Sequence, residues 1–142
     1  MLRPNRVKQA LKRGEPALGT MISEVGSAGF VWMLANTGFD FVFIDMEHGT
    51  FDLAVVADMI KVARLADIVP LVRVPDLGYH LVARVLDAGA MGVMLPRVET
   101  REQVEQFVSF MKYPPVGVRG ASGSAPSPTS TICCRCRAST RR

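Results

Sequence analysis

DFVFIDMEHGTFD, residues 40–52, decides how this sequence folds. Phe41 to Ile44 is an unbroken apolar run with strand composition, and Asp45, Glu47 and His48 follow at its exit. A strand that is apolar at successive positions buries both faces, as strands of parallel sheets do. In α/β folds of that kind, ligands bind and chemistry is done at the carboxyl ends of the strands. The stretch reads as a buried strand with a working end attached.

The same rhythm extends outward in both directions. RVKQALKRGE (6–15) is a short amphipathic helix with Val7 and Leu11 on one face. PALGTMIS (16–23) is the first strand, and GSAGFVWMLANTG (26–38) is a helix closed by Gly38. After the second strand, Asp52 can cap LAVVADMIKVARLA (53–66), whose Leu53, Val56, Ile60 and Ala63 form one apolar stripe. DIVPLVRV (67–74) is the third strand, followed by the helix GYHLVARVLDAG (78–89). AMGVMLPRV (90–98) is the fourth, and Thr100 with Gln103 makes a capping box for REQVEQFVSFMKY (101–113), which Pro114-Pro115 stops. Trp32 and the methionines are expected in the core.

Strands alternating with helices imply right-handed crossovers and an α/β fold with a parallel sheet. A complete (β/α)8 barrel needs about 250 residues, so the pattern alone fits a half barrel and a small open sheet equally. It contains no G-x-G-x-x-G turn and no Walker loop.

Composition narrows the class. A hydrophobic share of 49% excludes a mainly disordered chain, and no apolar run approaches the roughly 18 residues of a membrane span. The basic N-terminus lacks the apolar core of a signal peptide, which points to a cytoplasmic protein. Residues 1–130 hold 13 Lys and Arg against 13 Asp and Glu, so the net charge of +4 comes from Arg135, Arg137, Arg141 and Arg142. Without a basic face or a stacking platform, neither nucleic acid nor a membrane is an expected partner.

The three cysteines, Cys133, Cys134 and Cys136, lack the spacing and the histidines of a zinc site. The chain divides into a domain over residues 1–120 and a Ser/Pro/Cys/Arg tail over 121–142. The tail has no Leu, Val, Phe or Met, and reads as disordered. Such a change of composition is what an out-of-frame reading of a GC-rich gene produces.

Three strand exits carry ionic groups: Asp45, Glu47 and His48 on the second, Arg73 on the third, Arg97 and Glu99 on the fourth. Exits of neighbouring parallel strands share one rim, which makes His48 and Arg73 neighbours. Histidine is the natural general base near neutral pH, and an arginine fork suits a carboxylate or a developing enolate oxygen. Asp87, near the end of a helix, could reach across to orient the imidazole. Each residue also has a plain reading. His48 can be a solvated loop residue, Arg73 an ion-pair partner, Asp87 a C-terminal turn residue, and Glu99 the residue before a capping box. Tyr79 and His80 belong on the exposed side of their helix.

Taken together, the motifs are more specific. GFDFVFIDMEHG, PLVRVP, VLDAGAMGVMLPRVET and KYPPVGVRG stand in the order and spacing of the HpcH/HpaI aldolases, metal-dependent class II pyruvate aldolases, which the chain resembles from residue 5 to 120. The resemblance implies the N-terminal half of a (β/α)8 barrel. It implies that His48 is the catalytic base, Asp87 its carboxylate partner, and Arg73 the group that binds substrate and stabilises the enolate.

The implied reaction is cleavage of a 4-hydroxy-2-oxo acid to pyruvate and an aldehyde, with a divalent cation (Mg, Mn or Co) as cofactor and a homo-oligomeric assembly. The family's Glu and Asp metal ligands fall beyond the matching segments. Glu47 and Glu99 do not match them, so no residue here is assigned to the metal, and impaired activity is expected. Two alternatives stand beside this reading: an inactive remnant, and a citrate-lyase-like enzyme acting on CoA thioesters.

Overall fold

The computed structural model describes residues 4–121. The tail expected to be disordered lies, from residue 122 on, outside the described residues. The elements run α1 (Arg6–Lys12), β1 (Gly19–Ile22), α2 (Ala28–Asn36), β2 (Phe41–Asp45), α3 (Leu53–Leu65), β3 (Val69–Arg73), α4 (Tyr79–Ala88), β4 (Gly92–Met94) and α5 (Arg101–Met111). The four strands are all parallel and lie in sequence order, β1-β2-β3-β4. Each neighbour is reached through one helix, as the alternation requires.

Helix boundaries follow local chemistry. Asn5 and Asp52 accept hydrogen bonds from Lys8 N and Val55 N at the starts of α1 and α3. Thr100 and Gln103 form the full capping box of α5. Gly38 (φ 91°) and Gly89 (φ 111°) take the left-handed conformation beyond the ends of α2 and α4, where a side chain would be strained.

One face of the sheet is sealed. Val42, Ile44 and Val72 are fully buried among Val31, Val56, Met59, Ile60, Ala63, Val82 and Val85 of the helices. Val56, Ile60 and Ala63 hold the positions their spacing gave them, and Met59 joins them. Met21, Phe43, Leu71 and Gly92 share a register row on the opposite face, with Asp45, Arg73 and Met94 in the row above.

Trp32 and three of the seven described methionines depart from expectation. Trp32 is 58% exposed on α2, and Met21, Met33 and Met94 are exposed as well. Trp32 and Met33 follow the buried Val31 by one and two residues, which at 3.6 residues per turn carries them off the sheet-facing side. Met21 and Met94 lie on edge strands, on the face without helices. Leu11 is exposed for a related reason, since α1 caps the lower end of the sheet beside an open hollow lined by Val7, Leu11 and Leu71.

Candidate active site

The site begins with a register match. Asp45 ends β2, Arg73 ends β3, and the two are paired in the ladder. Arg73 donates from Nε to Asp45 Oδ1 (2.8 Å) and from Nη2 to Oδ2 (2.6 Å), the two-pronged geometry in which guanidinium and carboxylate match best. Asp45 is only 1% exposed, although it is charged. Its Oδ1 also accepts from the backbone N–H of Glu47 (2.9 Å) and of His48 (3.4 Å), so one carboxylate anchors the strand end and shapes the following loop. Gly49 completes that loop, because a Cβ there would meet the carbonyls of Asp45 and Ser23.

Glu47 is the second hub. Its Oε2 lies 3.3 Å from Arg73 Nε and 3.8 Å from His48 Nε2, and its Oε1 lies 3.4 Å from Arg97 Nε. Arg97 also donates to the Pro75 carbonyl (2.8 Å) and takes a positive φ of 53°. The imidazole of His48 is 72% exposed. His48 and Arg73 thus meet the same carboxylate oxygen at one rim, from strand exits 25 residues apart.

Asp87 is not part of this cluster. The crossover carries α4 back to the opposite end of the sheet, where Met91 N bonds the carbonyl of Pro70, near the start of β3. There Asp87 accepts a hydrogen bond from Arg119 Nη2 (2.6 Å), and the Arg119 guanidinium lies over the Tyr113 ring. Within one chain the expected pairing with His48 is therefore not made. Glu99 sits just ahead of the α5 cap, its N–H donating to Gln103 Oε1 (2.8 Å). His80 is exposed, as is Tyr79, whose hydroxyl accepts from Gly120 N.

The residues that sequence reasoning undervalued are Asp45 and Glu47. Opposite charges ending two adjacent parallel strands were the available signal. Using it requires the register, which no local pattern supplies.

The paired groups hold each other's charge. The Arg73 hydrogen bonds pull the Asp45 carboxyl down from 3.8 to about 2, against the opposing effect of burial, and the same bonds raise Arg73. A lowered carboxyl stabilises the fold above its unfolded value and loses that contribution as pH falls through the folded one. Stability is therefore expected to be full above about pH 4 and to fall by about 2 kcal/mol on acidification to pH 2. Urea unfolding at the two pH values measures it. An Asp45→Asn chain should lack this part of the pH response.

A divalent cation needs several free oxygen ligands. Asp45 and Glu47 spend theirs on Arg73 and Arg97, and His48 is a single imidazole. Among the described residues no cluster of three or more His, Cys, Asp or Glu could hold such an ion. These residues do not fit the cation.

Comparison with known proteins settles the lineage. Residues 25–133 match the model of the HpcH/HpaI aldolase/citrate lyase family. The chain belongs to that family. Its match begins later than residue 5 and runs beyond residue 120. A hydroxypyruvate/pyruvate aldolase of Agrobacterium fabrum is 37% identical over 116 residues, 82% of this chain and 43% of that protein. A 4-hydroxy-4-methyl-2-oxoglutarate aldolase of Chaetomium globosum is 40% identical over 98 residues, covering 68% and 36%. The crystal structure of an HpcH/HpaI aldolase from Desulfitobacterium hafniense superposes with a TM-score of 0.77 at 36% identity, covering 83% of this chain and 46% of that one. The chain spans about half the length of the relatives it matches, and its architecture is the N-terminal half of their (β/α)8 barrel. No helix among the described residues is long and apolar enough to cross a membrane.

Proposed function

We propose that this chain carries the anion-binding and proton-transfer part of a pyruvate-aldolase site acting on a 4-hydroxy-2-oxo acid. The observation that carries the reading is the Asp45–Arg73 pair beside His48. Two hydrogen bonds engage Nε and Nη2 and leave Nη1 outside them, on a guanidinium that cannot swing away. A fork held in this way suits the carboxylate or 2-oxo oxygen of a small acid, and it favours the negative charge that grows on that oxygen.

His48 takes the proton of the 4-hydroxyl. The hydroxyl oxygen's electron pair becomes the aldehyde carbonyl, and the C3–C4 bond pair becomes the pyruvate enolate, which is then protonated at C3. A Schiff-base route has little to draw on, since no lysine lies between Lys12 and Lys61. The aldolase names of the relatives favour this chemistry over CoA-thioester lysis.

The cation expected of the family would lower the energy of the enolate. Because the described residues do not fit it, the 142-residue polypeptide alone is proposed to turn over little or nothing. With Mg²⁺, Mn²⁺ or Co²⁺ present, it should release pyruvate from a 4-hydroxy-2-oxo acid no faster than a His48→Ala control. Release about a hundredfold or more above that control, the low end of what a general base contributes, would overturn the impairment. The anion site is tested separately. Millimolar pyruvate should shift the NMR signals of the Arg73 guanidinium, and unchanged signals would remove the basis of the reading.

A further inference from the structure

We propose that a polypeptide of these 142 residues forms a two-fold dimer in which β4 of each copy pairs with β1 of the other, closing an eight-stranded parallel barrel. Both edges are short, β1 four residues and β4 three, but shortness is the one device that guards them against pairing. Natural edges are blunted by Lys, Pro, bulges or inward charges. Here β1 is GTMI and β4 is GVM, without a charged residue or a proline.

The face between those edges is apolar and uncovered. Met21, Phe43 and Leu71 line it, Met21 being 57% exposed, and at its lower end the hollow between α1 and Leu71 measures about 470 Å³. Among the described residues the chain has nothing to fill this space. Its four strand–helix units occupy residues 19–111, and residues 122–142 contain no Leu, Val, Phe or Met.

A second copy answers both needs at once. A two-fold axis along the strand direction leaves all strands parallel, so β4 can continue into the partner's β1 as β1 continues into β2. Eight is also the strand number at which side chains alone fill a barrel interior. The inner face is already patterned for that. Glycines stand at both edges beside large neighbours: a Cβ on Gly92 would lie 2.7 Å from Leu71 Cδ2, and one on Gly19 would enter the Phe41 ring. Small and large residues alternating in this way suit a filled interior. A further exposed apolar pair among the described residues, Trp32 with Met33 on α2, offers no strand edge to pair.

Sedimentation velocity of the intact polypeptide should give twice the 15.5 kDa chain mass at micromolar concentration. Met21→Lys with Met94→Lys should weaken the dimer by about a hundredfold, the equivalent of roughly 3 kcal/mol, while Trp32→Lys leaves it intact. Rim contacts provide a readout that does not depend on weakening the fold. In a background with Cys133, Cys134 and Cys136 changed to Ser, copies carrying Ser23→Cys should cross-link to copies carrying Pro96→Cys, in preference to their own kind. Four outcomes would overturn the proposal: a monomer throughout, like-with-like cross-links, a dimer dispersed by Trp32→Lys but not by the inner-face pair, or a stoichiometric complex with a host protein.

Discussion

Asp45→Ala is expected to destabilise the fold by about 3–5 kcal/mol, the range for removing one partner of a buried ion pair. The carboxylate is nearly inaccessible, and it satisfies Arg73 twice as well as two backbone N–H groups of the loop after β2. Its loss leaves a guanidinium with no compensating anion at the Asp45 position, and frees the segment that carries His48. Domains of this size are stable by only about 5–15 kcal/mol, so the substitution removes a large fraction of the total. Urea unfolding followed by circular dichroism measures the change.

A double change, Asp45→Leu with Arg73→Met, should recover part of the loss, because replacing a buried pair by packed apolar groups is often neutral or better. If Asp45→Ala unfolds at the same urea concentration as the parent chain, the pair has no structural role. The anchoring of His48 by Asp45 would then fall as well.

The second large effect concerns catalysis, and it needs a complete barrel. Joining residues 1–121 to the C-terminal half of the Agrobacterium fabrum aldolase should give a chimera that releases pyruvate from a 4-hydroxy-2-oxo acid. In that chimera Arg73→Lys is expected to lower kcat by about 10²–10³, the loss typical of removing one group that stabilises an oxyanion. The charge is kept, but a lysine cannot hold Asp45 through two prongs and still present a planar edge to substrate. Steady-state kinetics separates the outcomes. A fall in kcat with KM little changed marks stabilisation of the developing charge, and a rise in KM alone marks simple anion binding. Equal kinetics for Lys and Arg at this position would end the case for Arg73 as the enolate-stabilising group.

Much of the architecture could be read without coordinates. The apolar run at Phe41–Ile44, the cap at Asp52, the Thr100–Gln103 box and the glycines at 38 and 89 each act over a few residues. Their effects were therefore visible in the sequence, and all reappear in the fold. The placement of His48 and Arg73 at one rim followed from the parallel alternation alone. Asp87 was legible as a carboxylate but not as a neighbour of Arg119, because that contact joins the end of α4 to a segment 32 residues later. Trp32 and Met21 were misjudged because hydrophobicity says that a residue favours burial, not that a partner surface exists.

By itself, the sequence determined the order and kind of the elements and the parallel direction of the strands, since caps, glycine turns and hydrophobic period are local forces. Only the tertiary structure decided that Asp45 faces Arg73, that Glu47 gathers Arg73, Arg97 and His48, and that Asp87 lies at the other end. Those choices depend on strand register and on which end of a crossover a residue occupies. Both are fixed by packing the whole sheet against its helices rather than by any few residues in sequence.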